Sequence, residues 1–247
     1  MPNKMNYENF DWGPTYKEYI DLFTEENFID RTYERFYKIK EDDIVVDVGA
    51  NVGSFVYSLK DTKPKHVFCL EPSNTAFRTL EKNLDTFSCT LINKGISGID
   101  TDYNIINPNA DYIYNHIGSM FSTITFDTLI KDYNIEKVDF LKFDCEGGEA
   151  FIFTKENASM IKRIVKNIAG EYHIVGVPNS IENFIEFRDN YLLALRGTEH
   201  LHIYERDGAC VTEQIFDNDF LHAYEAWWRN NNPYKGQFIV YANLKGI

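Results

Sequence analysis

The stretch from Asp43 to Ser54 constrains this chain most: the apolar run Ile44-Val45-Val46-Asp47-Val48 passes directly into Gly49-Ala50-Asn51-Val52-Gly53-Ser54, a glycine-containing turn that opens a helix. A strand, a tight glycine turn and a helix in that order are the cofactor corner of open α/β sheets. Gly49 allows unusual φ in the turn, Gly53 lets the helix pack closely on the strand, and the helix start offers free N–H groups. About 20 residues on, Val67-Phe68-Cys69-Leu70 ends in Glu71-Pro72, where a carboxylate can accept hydrogen bonds from ribose hydroxyls. The candidate cofactor-binding residues are therefore Asp47, Gly49, Ala50, Asn51, Gly53, Ser54, Glu71 and Pro72, joined by Asp144 further along.

The rest of the chain repeats the strand and helix alternation. Short β-prone runs at Ile44–Val48, His66–Leu70, Cys89–Asn93, Val138–Phe143 and Asn167–Tyr172 are separated by helical segments such as Thr75–Leu84 and Ala150–Thr154. This predicts a doubly wound α/β fold with a mostly parallel sheet and helices on both faces. After a helix over Ser180–Leu195, His200–Tyr204 and Gln237–Ala242 read as a C-terminal antiparallel edge hairpin. Residues 1–40 read as an N-terminal helical extension of two helices, with Tyr16, Tyr19, Ile20 and Phe23, then Phe28, Tyr33, Phe36 and Tyr37 at helical spacing. Those aromatics would pack on the sheet or on a partner subunit of a homodimer, or close as a lid over the cofactor. Residues 41–247 are expected to form the main α/β domain. Gly98–Ile124, rich in Asn, Asp and Tyr, breaks the rhythm as a loop or hairpin insertion over the carboxyl edge of the sheet.

Composition narrows the function classes. A formal net charge of −13 repels a phosphate backbone, so no nucleic-acid partner is expected, and Lys162, Arg163 and Lys166 read as a solvated helix face. Cys69, Cys89, Cys145 and Cys210 are too widely spaced for a C-x-x-C motif and read as reduced thiols. No run approaches the ~20 apolar residues of a membrane span, and a cytoplasmic location is the expectation. The sequon Asn157-Ala158-Ser159 is taken as a chance match.

Two cofactor classes use the glycine corner. Dinucleotide sites favour G-x-G-x-x-G, whose middle glycine admits the pyrophosphate, whereas Asn51 takes that place here. S-adenosylmethionine has no pyrophosphate and does not need that glycine, which favours a methyltransferase. A nicotinamide-dependent short-chain oxidoreductase is the alternative, since Tyr133/Lys137 and Tyr241/Lys245 have Tyr-x-x-x-Lys spacing, but both lie beside expected strands. A non-catalytic cofactor-binding module is the third reading.

Three blocks resemble the FkbM family of methyltransferases: Val46 to Gly53, Phe68 to Pro72, and Thr125 to Ile130 running into Val138-Asp139-Phe140-Leu141-Lys142-Phe143-Asp144-Cys145-Glu146-Gly147-Gly148-Glu149. The last looks like the family's L-K-I-D-V-E-G-A-E signature with Phe, Cys and Gly replacing Ile, Val and Ala. The resemblance covers roughly Asp43 to His173. It implies a class I, Rossmann-like methyltransferase fold and O-methylation of a hydroxyl, often on a sugar, glycan or secondary metabolite.

Methyl transfer is an in-line displacement that needs orientation and a base. Along Phe140–Asp144 alternate side chains share a face, placing Lys142 and Asp144 together. The candidate catalytic residues are His173, the natural base by intrinsic pKa, with Asp144, Glu146 and Glu171 to hold the acceptor, orient that His or replace it. Lys142 is either catalytic or the partner of a neighbouring acid. Glu149, in the first turn of a helix, is read either as a site group or as a complement to the helix dipole. A carboxylate cluster with a His also permits a hard divalent cation such as Mg²⁺, although no ligand spacing assigns one. Trp227-Trp228-Arg229, Asn230 to Asn232 and Tyr234 suit either packing or stacking on sugar rings.

Overall fold

In a computed structural model, residues 7, 9–13, 19–101, 121–174, 179–231 and 236–246 are described. The strands are β1 (Ile44–Val48), β2 (His66–Leu70), β3 (Cys89–Ile92), β4 (Gly95–Ile96), β5 (Thr123–Ile124), β6 (Val138–Phe143), β7 (Val165–His173), β8 (Leu201–Glu205) and β9 (Gln237–Asn243). The α-helices are α1 (Ile20–Thr24), α2 (Ser54–Ser58), α3 (Asn74–Asn83), α4 (Phe126–Asp132), α5 (Glu149–Ile152), α6 (Ala158–Ile164), α7 (Ser180–Phe187) and α8 (Asn218–Asn231).

Seven strands form one sheet in the order β3-β2-β1-β6-β7-β9-β8, and β4 and β5 make a small parallel pair. All neighbours from β3 to β7 run parallel, so their carboxyl ends share one edge. β9 runs antiparallel to both β7 and β8. The expected hairpin is thus present in a particular form, with the last strand inserted beside β7 and β8 left at the edge.

Strand alternation splits the core in two. Val46, Val48, Leu141 and Phe143 face a large cluster with Phe126 and Leu129 of α4, Ile152 of α5, Ile161 of α6, Phe184 and Phe187 of α7, and Leu221 of α8. Val45, Val67, Phe140 and Ala169 face a smaller cluster with Phe55 and Val56 of α2 and Leu80 of α3. Both faces are therefore covered by helices. The entry turns are chemically set: Ser73 Oγ accepts from Ala76 N at 3.4 Å at the start of α3, and Thr125 Oγ1 from Thr128 N at 3.2 Å at the start of α4.

The N-terminal expectation is corrected in detail. α1 continues as a five-residue π-helical stretch, Glu25–Ile29, and the expected second helix is one 3₁₀ turn, Thr32–Glu34, after Arg31 at φ +49°. Burial of aromatics governs this segment more than helical periodicity does. Tyr37 stacks on Phe140, Phe36 on His202, and Phe28 packs edge-on against Phe10 and Tyr57. The expected helix over 180–195 stays α-helical only to Phe187 and passes through a π-helical stretch into a 3₁₀ turn. The helix α8, which the sequence reading did not anticipate, carries Trp227 exposed at its surface and edge-on to Trp228 at 4.7 Å. Tyr16, Asn232, Tyr234 and most of the Gly98–Ile124 insertion lie outside the described residues.

Candidate active site

Sheet register assembles the site. Val48 of β1 pairs with Leu70 of β2 and Phe143 of β6, and Phe143 pairs with Gly170 of β7. The residues that follow, Gly49, Glu71, Asp144 and Glu171, therefore stand side by side along the carboxyl edge, where open α/β sheets bind ligands. One step back, Asp47 and Lys142 are direct partners in register and share the face of α2 and α3.

Lys142 Nζ lies 3.1 Å from Asp47 Oδ1 and donates to the Gly49 carbonyl at 2.8 Å. Both side chains are buried, and neither Asp47 oxygen accepts a hydrogen bond among the described residues, so the lysine charge is what compensates Asp47. Burial pushes the Asp47 carboxyl up and Lys142 pulls it back. Lys142 is thus committed to holding the glycine turn. The turn itself has Gly49 at φ +82°, Asn51 at +52° and Gly53 at +88°. A Cβ on Gly49 would stand 1.8 Å from the carbonyl oxygen of Asp144, so this position requires glycine for space as well as for φ.

Glu71 accepts from Asn51 N at 2.9 Å and Ser73 N at 2.7 Å, one backbone amide on each oxygen. Burial raises its carboxyl to about 7 against the opposing pull of those amides. Each oxygen keeps a free lone pair for a ligand hydroxyl. Asn51 Oδ1 is buried and accepts no hydrogen bond among the described residues, leaving a second acceptor beside it.

Across the edge, Asp144, Glu146 and Glu171 meet His173. His173 Nδ1 lies 3.1 Å from Glu149 Oε1, and Nε2 lies 3.5 Å from Glu146 Oε2 and 3.9 Å from Glu171 Oε2. Glu149 is fully buried, and its oxygens accept from Cys145 N at 2.9 Å and Gly147 N at 2.8 Å. It is therefore a positioning group for His173 as well as the cap of its own turn. Burial works against a charged His173 ring, but the carboxylates of Glu146 and Glu149 outweigh it and raise the ring's pKa. The imidazole that the sequence offers as a base therefore sits among acids that raise its pKa above the intrinsic value. Glu146 adopts φ +53°, in the left-handed region that non-glycine residues rarely occupy.

Three residues that the sequence reading missed as site groups complete the surroundings. Tyr33, buried in the N-terminal 3₁₀ turn, donates to Asp144 Oδ2 at 3.0 Å with its ring 5.3 Å from Lys142 Nζ. Glu26 is raised by burial and by Asp144. Gln237 Nε2 donates to Glu171 Oε2, and Gln237 Oε1 lies 3.4 Å from Arg206 at the rim. None has a local sequence signal, since each reaches the edge from more than 60 residues away or from an irregular segment. The Tyr-x-x-x-Lys pairs form no site: Lys137 is paired with Asp139 at 3.0 Å, Tyr241 donates to Thr32 O, and Lys245 donates to the carbonyls of Lys162 and Arg163.

The pattern for the methyltransferase FkbM domain matches residues 47–196, more than half of the chain and every residue from Asp47 to His173 just described. The chain belongs to the FkbM methyltransferase family. Its fold is accordingly the class I methyltransferase fold, with the antiparallel β9 inserted in the sheet. A hexuronic acid methyltransferase of Haloferax volcanii is 32% identical over 117 residues, 44% of this chain and 48% of the relative, so the match spans about half the length of that relative. Partial likeness extends to the fibrillarin pre-rRNA processing protein of Methanococcus jannaschii (TM-score 0.41, 16% identity, 84% of this chain and 69% of that one). A precorrin-6Y C5,15-methyltransferase of Geobacter metallireducens is similar at the same level (TM-score 0.41, 14% identity, 66% and 69%). Among the described residues no helix of this FkbM methyltransferase is long and apolar enough to cross a membrane.

Proposed function

We propose that this FkbM methyltransferase transfers a methyl group from S-adenosylmethionine to a hydroxyl of a sugar or glycan. The observation that carries the reading is the row Gly49, Glu71, Asp144 and Glu171 at four neighbouring strand ends, with a cofactor half at β1 and β2 and an acid and imidazole half at β6 and β7. The buried acceptors Glu71 and Asn51 Oδ1 fit the hydroxyl-rich and amine-bearing nucleoside, and the glycine turn gives the backbone room to approach it. The sugar acceptor is supported by the likeness to the hexuronic acid methyltransferase of Haloferax volcanii.

In this mechanism Glu71 holds the ribose hydroxyls and the Gly49 turn, fixed by Lys142, shapes the adenosyl pocket. The bound cofactor supplies an electrophilic methyl on a sulfonium. Asp144, Glu171 and His173 would hold and orient the acceptor hydroxyl, and a carboxylate of that cluster would take up its proton. Tyr33 fixes Asp144 from behind.

Calorimetry with S-adenosylhomocysteine tests the cofactor half without knowledge of the acceptor. Glu71→Ala is expected to weaken binding by about tenfold or more, the loss of hydrogen bonds to a charged group, while Glu171→Ala leaves it near wild type. Because the ionised Glu71 is the better acceptor and its free-state carboxyl titrates at about 7, wild-type affinity should fall as pH drops from 8 to 6. That fall is about tenfold and should vanish in Glu71→Gln. Absence of binding to the wild type would sink the reading, and equal binding by both alanine variants would remove Glu71 from the site.

A further inference from the structure

We propose that Asp144, Glu146 and His173 form a divalent-cation site that chelates the methyl acceptor. One ligand atom from each lies within 4.8 Å of the others. Octahedral ligands at bonds of about 2.1 Å stand about 3 Å apart when adjacent and about 4.2 Å when opposite. Three ligands on one octahedron include at most one opposite pair, so side-chain adjustments that close the separations by up to about 2 Å bring all three onto one ion.

Clustered acids alone would not establish a site; His173 supplies the separate observation. Its side chain is nine-tenths buried, and Nε2 is turned into the carboxylate cluster, 3.5 Å from Glu146 Oε2 and 3.9 Å from Glu171 Oε2. The ring is locked from the other side, where Nδ1 meets Glu149, itself fixed by the Cys145 and Gly147 amides. In the neutral ring that a metal requires, Nδ1–H donates to this buried carboxylate and Nε2 carries the lone pair, the arrangement of a metal-ligating imidazole. The β6 and β7 ends place Asp144 and His173, and the left-handed Glu146 turn brings its carboxylate across to them.

Donor chemistry selects the ion. Two carboxylates with one imidazole suit Mn²⁺ or Mg²⁺, and the nitrogen ligand favours Mn²⁺ and disfavours Ca²⁺. Three protein ligands leave three octahedral positions, enough for two acceptor oxygens and a water. The ion would offset the repulsion among Asp144, Glu146 and Glu171 and make an acceptor hydroxyl more acidic. Its catalytic role rests on the methyltransferase reading, whereas the site itself does not.

The test uses the full chain without cofactor, titrated with Mn²⁺ and followed by calorimetry and by loss of the free Mn²⁺ paramagnetic resonance signal. Saturable one-to-one binding is expected, weakened at least about tenfold by Glu146→Gln and by His173→Ala and by a similar factor in Glu149→Gln. Glu213→Gln, at an exposed ion pair with Arg196, should bind as wild type. Circular dichroism and melting curves confirm that each variant is folded, and Glu146, 47% exposed, tolerates substitution best. No saturable binding at millimolar Mn²⁺, or binding unchanged in both Glu146→Gln and His173→Ala, overturns the site. S-adenosylhomocysteine binding measured in parallel separates the two readings, since a protein that binds the nucleoside but not Mn²⁺ keeps its methyltransferase assignment and loses the metal.

Discussion

Lys142→Met is expected to cost about 3 to 5 kcal/mol of unfolding free energy at pH 8, measured by urea denaturation, because it strands a buried carboxylate without its counter-charge. Asp47 is fully buried, and no described residue donates a hydrogen bond to either oxygen. The folded Asp47 carboxyl is already raised by burial, and loss of Lys142 raises it further. The sign follows: a folded-state pKa above the unfolded value means that the folded variant binds a proton the unfolded chain lacks. Its stability should therefore be highest at acidic pH and fall as pH rises from the unfolded value near ~4 toward the folded one. The penalty should shrink toward pH 5, and Asp47→Asn combined with Lys142→Met should recover part of it. A penalty below about 1 kcal/mol at pH 8 would show that Asp47 is solvated or protonated in the wild type and that the pair does not organise the turn.

Gly49→Ala should be comparably damaging for a different reason. The φ of +82° costs an alanine about 1 to 2 kcal/mol, and the added Cβ, 1.8 Å from the Asp144 carbonyl, forces β1 and β6 apart at their carboxyl ends. With overpacking of about 1 to 3 kcal/mol, the total is about 2 to 5 kcal/mol. Gly197→Ala separates the two effects, since Gly197 has φ +74° with nothing within 4 Å of its Cβ position; it should show the conformational cost alone. Calorimetry on Gly49→Ala should also show loss of S-adenosylhomocysteine binding, because the displaced turn carries Asn51 away from Glu71. Equal destabilisation of the two variants would mean that the chain absorbs the clash and that Gly49 is kept for φ only.

These two positions mark how the sequence and the fold divide the information. Gly49 was legible in the sequence because a strand running into a glycine turn is a local pattern with few physical solutions. Lys142 was legible as sharing a face with Asp144, but its actual partner, Asp47, is opposite it only through the β1 to β6 register, almost 100 residues apart. Glu149 could be read as a dipole complement or a site group; only burial against two amides and His173 made it the residue that orients the imidazole.

The N-terminal segment illustrates the limit most clearly. Its aromatic spacing suggested two helices, whereas packing of Phe28, Phe36 and Tyr37 bends it through π and 3₁₀ turns and carries Tyr33 to Asp144. Helical periodicity is a short-range preference of a fraction of a kcal/mol per residue, and burial of large aromatic rings outweighs it. The sequence by itself determined the alternation of strands and helices from β1 to β7, the glycine corner, and the placing of Glu71 and of the acids at the ends of β6 and β7, because each is set by neighbours within a few residues. Only the tertiary structure decided that Lys142 pairs with Asp47 and the Gly49 carbonyl, that Tyr33 and Gln237 reach the carboxyl edge, and that His173 is locked by Glu149 with Nε2 turned to Glu146, because those contacts depend on strand register and on the path of distant chain, which local patterns do not encode.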